Sequence, residues 1–483
     1  VYDFFEHRNV VDYNVYETNI HSIERAAKER LFYVSDGNGG FQAPPAPSNN
    51  NIFNVRLAAV EQHFRRHVQY TSPLTQDNFL RAYVGRRRTV YENAFASLLK
   101  SPVHKSDTTI KFFMKVEKIN FSAKPNSVPR GISPRDPRYH VSLGPFIKRI
   151  EHPVYGIIDD LFGASTVMKG KNMLQRGKVL LDHWNSFDDP VAVGLDASRF
   201  DQHVSLEGLR WEHKLYKLFF CRKATITKLL KWQLRNRGRA HAPDGTLKFT
   251  IDGKRMSGDM NTALGNVLQM CSMLYAFCIH ATLSKFRAVN DGDDCVLILE
   301  RKELHKIHDL PQFFLDFGFT MKQEPPVDVF EKIVFCQAQP IRLSLTDCVM
   351  VRDNLVAFAK DSISTKPLNS EHLAKRWSRA IGLCGLSLTA GVPIAQEFYT
   401  AHIRSAGDVR ELIHDPTQET GMARLAVGMS HRKYVEPTQF SRYSYWRAFG
   451  IAPATQKALE NRLKEVDIDY KLSQTNYGQL LFI

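Results

Sequence analysis

The sequence predicts an α+β fold, and three observations predict it. The first is a hairpin. Val289-Asn290 leads into Asp291-Gly292-Asp293-Asp294, and Cys295-Val296-Leu297-Ile298-Leu299 follows, so an Asp-Gly turn separates two apolar, strand-like runs. The second is Val191-Ala192-Val193-Gly194-Leu195, a short buried strand that ends at Asp196. The third is the stretch from Met260 to Ser284, which contains no Asp, Glu, Lys or Arg. Asn261, Thr262, Asn266, Gln269, Ser272 and His280 interrupt it, so it reads as a buried core helix rather than a membrane span.

A chain of 483 residues is long enough for roughly two to four structural units. With 43% hydrophobic and 24% charged residues, its composition is that of an ordinary globular protein. The formal net charge of +15 suits a polyanionic partner such as nucleic acid. Seven cysteines form no CxxC pair, and several lie inside apolar segments, as buried free thiols of a reducing compartment do. No signal peptide is visible. The start at Val1 rather than Met suggests a fragment, or a processed or fused product.

Taken in order, the first forty residues include a helical stretch near His21 to Arg30. Ala43-Pro44-Pro45-Ala46-Pro47-Ser48-Asn49-Asn50-Asn51 is a loop or linker by composition. Amphipathic helical patterns resume from Asn54 to Leu99 and carry Arg86-Arg87-Arg88, either a solvated face or the wall of a nucleic-acid channel. Residues 105 to 150 are basic, and prolines at 125, 129, 134 and 137 argue against one long helix, so strands and loops presenting cations are expected there. From Val191 the signals run strand, helix, loop, helix, hairpin. Ser205 is placed to cap a helix running to about Phe220. After Val351 the chain looks mostly helical, with punctuation near Gly391 to Pro393, and makes a plausible smaller domain.

Three motifs carry chemistry. Asp196, at a strand end, has the hard oxygen donors that magnesium prefers, while Asp201, beyond the turn, suits a hydrogen bond at the rim of the same site. Ser257-Gly258-Asp259 runs into a helix on which Thr262 and Asn266 share a face, and a hydroxyl and an amide so placed can read a sugar hydroxyl or a phosphate. A Walker-type phosphate loop fails here, because Asp259 stands where its lysine should be. The third motif is the Asp293-Asp294 hairpin. Two carboxylate clusters at strand ends can hold a pair of divalent cations that clamp the attacking and leaving oxygens of a phosphoryl transfer.

Together, DASRFDQH, SGDMNTALGN and NDGDD resemble the palm motifs of the RNA-dependent RNA polymerases of positive-strand RNA viruses. Lys124-Pro125, Pro129-Arg130-Gly131-Ile132 and Pro134-Arg135-Asp136-Pro137-Arg138-Tyr139 resemble the basic finger motif of the tombusvirus-like (Tombusviridae) plant virus replicases. Gly318-Phe319-Thr320-Met321-Lys322 and Phe335-Cys336-Gln337 resemble that group's later palm motifs. The likeness spans roughly Lys111 to Gln337.

The resemblance implies a right hand closed by fingertips: fingers, a palm with a small antiparallel sheet, and a mostly helical thumb. The expected division is an N-terminal extension and fingers over 1–145, a palm over 146–350 with fingers interleaved at about 165–190 and 225–255, and a thumb with the C-terminal segment over 351–483. Asp196 and Asp293, with Asp294 close by, would hold two Mg2+ ions, with Mn2+ as a substitute. Asp201, Asn266 and Thr262 would recognise the ribose, and Ser257 and Gly258 would lie along template and nucleotide. Arg130, Lys124, Lys115 and Lys118 would line the nucleotide path. Lys322 would protonate the leaving pyrophosphate, and Phe335, Cys336 and Gln337 would support the end of the nascent strand.

The implied partners are template and nascent RNA, NTPs, and an upstream viral replicase domain or auxiliary replicase protein. The implied setting is the host cytoplasm, in membrane-associated replication complexes anchored by parts outside this chain. Two other readings stay open at the level of sequence. One is a reverse transcriptase, against which Gly292, Asp201 and Asn266 argue; the other is an RNA-binding scaffold with a dead palm, against which the intact carboxylates argue.

Overall fold

The computed structural model describes residues 2–3, 13–365, 368, 370–409 and 422–470. The Asn19 side chain caps helix α1 (Ile20–Ala27), which widens into a π-helical turn at Lys28–Phe32. After the proline-rich loop come α2 (Ala58–His67) and a further helix, Gly85–Lys100, as the periodicity predicts. Arg86, Arg87 and Arg88 all lie exposed on the latter, and Arg88 pairs with Glu92 at 2.8 Å.

The basic segment divides in two. Up to Asp136 it is extended, with short strands β1 (Ile110–Lys111), β2 (Phe113–Met114) and β3 (Gly131–Ile132). From there the expectation of strands and loops is wrong. Helix α3 (Pro137–Phe162) runs through Pro145 and Pro153 to Gly163, whose φ of +64° ends it. Pro137 occupies the first turn, where a missing N–H costs nothing, and the Asp136 side chain accepts from the Arg138 N–H. The boundary expected at 145/146 falls inside this helix.

Beyond α4 (Met173–Trp184) lies the central sheet. Its strands are β4 (Pro190–Ala197), β7 (Phe286–Asn290), β8 (Asp294–Glu300) and β9 (Met321–Gln323), antiparallel in the order β7-β8-β4-β9. The inner strands are buried on both faces, which is why they read as unbroken apolar runs. Val191, Val193, Leu195, Cys295, Leu297 and Leu299 face one core, and Ala192, Val296 and Ile298 face the other.

The first core is covered by α3, by α5 (Leu206–Tyr216), which Ser205 caps, and by α6 (Thr262–His280). Helix α6 is long and apolar enough to cross a membrane, but most of it is buried inside the protein, as a core helix is. The second core is covered by α4, the hairpin β10 (Ala338–Arg342) and β11 (Cys348–Arg352), and helices that include α7 (Glu371–Thr389), α8 (Ala395–Ala406) and α9 (Gln439–Phe449). The last third is therefore mostly helical but packs onto the sheet.

A hairpin that the sequence reading passed over, β5 (Arg235–Ala242) and β6 (Gly245–Asp252), stands apart from this sheet. It turns at Pro243-Asp244 and pairs with β1, so it belongs with the basic segment.

Candidate active site

The register of the central sheet sets the site. Asp294 on β8 lies opposite Asp196 on β4, and Lys322 on β9 lies opposite Asp196 from the other side. Directly opposed residues share a face with Cβ atoms about 4.5–5.5 Å apart. An acid, an acid and a lysine therefore form a row across three strands, at the sheet end where apolar cover stops. All three are exposed, and so is Asp293 in the adjoining turn. Burial of its base and repulsion from Asp293, Asp291 and Asp196 push Asp294 up to about 6. Clustered carboxylate oxygens of this kind suit a hard divalent cation, whose charge would relieve the repulsion. Glu324, which the sequence reading missed, lays its carboxylate over Gly194, where a Cβ would sit 2.1 Å from it.

The turn is held from behind. The Asn290 amide donates to the Gly292 carbonyl at 2.8 Å and accepts from the Gly292 N–H at 3.0 Å. Gly292 adopts φ +97°, which favours glycine. Asp291 is half-buried in the same turn. Lys169 at 2.5 Å and Arg176 at 2.6 Å grip it, and these cations hold its carboxyl below the usual range.

Phe335-Cys336-Gln337 reaches the same place. Cys336 and Gln337, at φ +51° and +61°, form a tight turn closed by reciprocal bonds between Phe335 and Ala338. The Cys336 Sγ lies 3.5 Å from Arg176, and the Phe335 ring is buried. The motif thus backs the acidic turn through Arg176.

A second group of polar side chains lies beside Asp293. The Asn266 amide donates to Asp201 at 2.8 Å and accepts from Arg255 Nε at 3.0 Å. Arg255 is buried and forks onto Glu212. This chain of bonds fixes which way the Asn266 amide faces. Burial first, and then the charge of Asp293, push Asp201 up to about 6, against the pull of Asn266 and Arg255. Gly265 is needed here, because a Cβ would sit 2.3 Å from the Arg255 guanidinium. Thr262 begins the same helix face, but its hydroxyl donates to the Met256 and Asp259 carbonyls, so it braces the preceding turn.

A cationic wall shares a cleft with these acids: Asp201, Asp293 and Ser257 line it together with Arg30, Lys115, Arg130 and Arg199. Burial, together with the charges of Arg130 and Arg199, lowers Arg30 to about 10. Arg30 comes from the π-helical turn and Arg199 from the tight bend after β4; the sequence reading assigned neither a role. Glu117 partly offsets the wall, at 2.8 Å from Lys115 and 3.7 Å from Arg130. Two expected members lie elsewhere. Lys118 donates to the Lys360 carbonyl at 2.8 Å, and Lys124 sits exposed on the bend that follows β1–β2.

Wall and acids are joined by the segment before α6. The Ser257 hydroxyl accepts from the Ser133 N–H and donates to the Gly131 carbonyl. A Cβ on Gly258 would come within 2.6 Å of the Pro134 backbone, so only glycine fits there. Next to it, Arg135 and Asp259 form a buried bidentate pair at 2.5 and 3.0 Å.

Comparison with known proteins gives the family of the chain. The chain matches the family described as viral RNA dependent RNA polymerase over residues 1–471. It is 40% identical over 468 residues to an RNA-directed RNA polymerase of maize chlorotic mottle virus, covering 97% of this chain and 48% of that protein. To the RNA-directed RNA polymerase of turnip crinkle virus it is 38% identical over 479 residues, covering 98% and 60%. To that of tobacco necrosis virus strain A it is 39% identical over 447 residues, covering 92% and 61%. The chain thus spans about half to three fifths of the length of these relatives.

Proposed function

This chain belongs to the viral RNA-dependent RNA polymerase family, and from that premise we propose that it carries out template-directed RNA synthesis from NTPs. The observation that carries the reading is the row Asp294–Asp196–Lys322 across three strands, with Asp293 of the adjoining turn lining a cleft that also holds Arg30, Lys115, Arg130 and Arg199. The central sheet with α3 and α6 serves as the palm, the basic segment with β5 and β6 as fingers, and the chain from about Val351 as the thumb.

Asp196 and Asp293, with Asp294, would hold two Mg2+ ions, or Mn2+ in their place, which when bound would supply charge neutralisation for the phosphoryl transfer. Arg130, Lys115, Arg30 and Arg199 bind the triphosphate and fix its path toward the acids, so that positioning does much of the catalysis. Asp201 and Asn266 take the ribose hydroxyls. Asn266 retains an N–H beyond the one it gives Asp201, and Arg255 holds its amide in that sense. Lys322 gives a proton to the departing pyrophosphate. Arg176, Cys336 and Asp291 keep the acidic turn from yielding as substrates load.

RNA template and nascent strand are held through their backbones, so affinity falls steeply with salt. The same reading includes an upstream replicase domain or auxiliary protein and work in membrane-associated complexes of the host cytoplasm. The test is extension of an RNA template with ribonucleotides and with deoxyribonucleotides. Ribonucleotide incorporation supports the proposal; deoxyribonucleotide incorporation points to a reverse transcriptase, and RNA binding without extension to a scaffold.

A further inference from the structure

Far from the cleft, the outer end of α2 lies against the last turn of α3. His63 and His67 stand four residues apart on α2, on one face. Their Nε2 atoms lie 3.1 Å and 3.4 Å from the same Asp160 carboxylate oxygen. Ligand atoms around a tetrahedral zinc at its usual bond lengths stand about 3.3 Å apart. All three ligand atoms fall within 4.8 Å of one another.

His67 is oriented for the same purpose. Its Nδ1 donates to the His63 carbonyl at 2.9 Å, which turns its Nε2 toward Asp160, the second-layer arrangement that orients metal-binding histidines. We propose that His63, His67 and Asp160 bind a structural divalent cation of the zinc class, with water in the fourth position.

An ordinary charged His–Asp pair explains the cluster less well. The two imidazoles lie with centroids 4.1 Å apart, where two positive rings repel. His63 Nε2 is buried and has no hydrogen-bond partner despite its 3.1 Å approach to Asp160. Two imidazole nitrogens and a carboxylate oxygen converging on one point offer three ligands to a single cation. Imidazole nitrogen selects zinc-like ions over magnesium, so this site is chemically distinct from the carboxylate row.

The ion would act as a brace. Next to Asp160, Asp159 Oδ1 accepts the Thr166 and Val167 N–H groups at 2.7 and 2.8 Å. Residues 166–168 in turn exchange backbone bonds with Asn290, at the base of the acidic turn.

The test uses the full chain, stripped with a chelator and titrated with zinc against a chromogenic competitor. Wild type, His67→Ala, Asp160→Asn and Asp293→Asn are compared. His67 and Asp160 are exposed, so their replacement leaves the metal-free unfolding temperature near that of wild type. The proposal expects a single zinc equivalent that survives excess magnesium, raises the unfolding temperature, is lost in both His67→Ala and Asp160→Asn, and is kept in Asp293→Asn. No zinc equivalent, retention in His67→Ala and Asp160→Asn, or loss in Asp293→Asn would each overturn it, the last by assigning the ion to the acidic row.

Discussion

Replacing Asn266 with alanine probes the most closely defined part of the site. The side chain gives one hydrogen bond to Asp201 and takes one from Arg255. Arg255 keeps its fork onto Glu212, so the buried network survives and the fold should hold. What is lost is the amide that faces the ribose. A hydrogen bond between neutral groups such as this amide and a ribose hydroxyl is worth about 0.5–1.5 kcal/mol, which is about 2- to 12-fold in kcat/KM at 1.4 kcal/mol per decade. A ribonucleotide should lose this factor, and its 2′-deoxy counterpart, with no hydroxyl to pair, much less.

A second consequence follows from charge. Asn266 helps to hold Asp201 down against burial, so in the variant Asp201 should titrate above its native value of about 6. The acid limb of the rate should then move to higher pH. The assay is kcat/KM for one ribonucleotide and its 2′-deoxy analogue on one RNA template, at neutral and mildly acidic pH. An unchanged ratio with an unmoved acid limb would refute the assignment of this amide to sugar selection.

Other expectations follow from neighbouring groups. Arg135→Leu strands Asp259 in a buried setting and should destabilise the chain by about 3–5 kcal/mol in urea unfolding, with Asp259→Leu restoring much of the loss in the double variant. Lys322→Leu should slow single-turnover incorporation by about 10²- to 10⁴-fold and change the pH–rate profile; a wild-type rate would leave Lys322 as a solvated lysine. Asp294 is raised from 3.8 to about 6, so between those values the folded chain keeps a proton that the unfolded chain has released. Without divalent ion, stability should therefore fall as pH rises through that window, and Asp294→Asn should flatten the fall in thermal unfolding.

Much of the central sheet was legible because local rules decide it. An Asp-Gly turn between apolar runs makes a hairpin, and Val191 to Leu195, buried on both faces, reads as continuous strand. Helix α3 was misread because proline carries two meanings: Pro137 starts a helix where an interior proline would bend or break one. The β5–β6 hairpin was missed through β5, which alternates arginine and histidine with small residues and carries little apolar signal, although Leu247, Phe249 and Ile251 do alternate along β6.

The site divides in the same way. Acids at strand ends show in the sequence, since their neighbours are fixed by the strand itself. Arg30, Arg199, Arg255 and Glu212 do not, because their partners lie far along the chain and only the fold joins them. Lys118 shows the converse: its neighbours in sequence promise a cationic path, but its ammonium turns to the Lys360 carbonyl.

The central claim is that Asp196 and Asp293, brought together at one end of the sheet, hold the ions of nucleotidyl transfer. Its most direct measurement is single-turnover incorporation by Asp293→Ala on an RNA template, with RNA binding measured on the same protein. The account predicts that incorporation falls by several orders of magnitude while RNA affinity stays near that of wild type, because backbone contacts lie elsewhere. Near-normal incorporation by Asp293→Ala would contradict it.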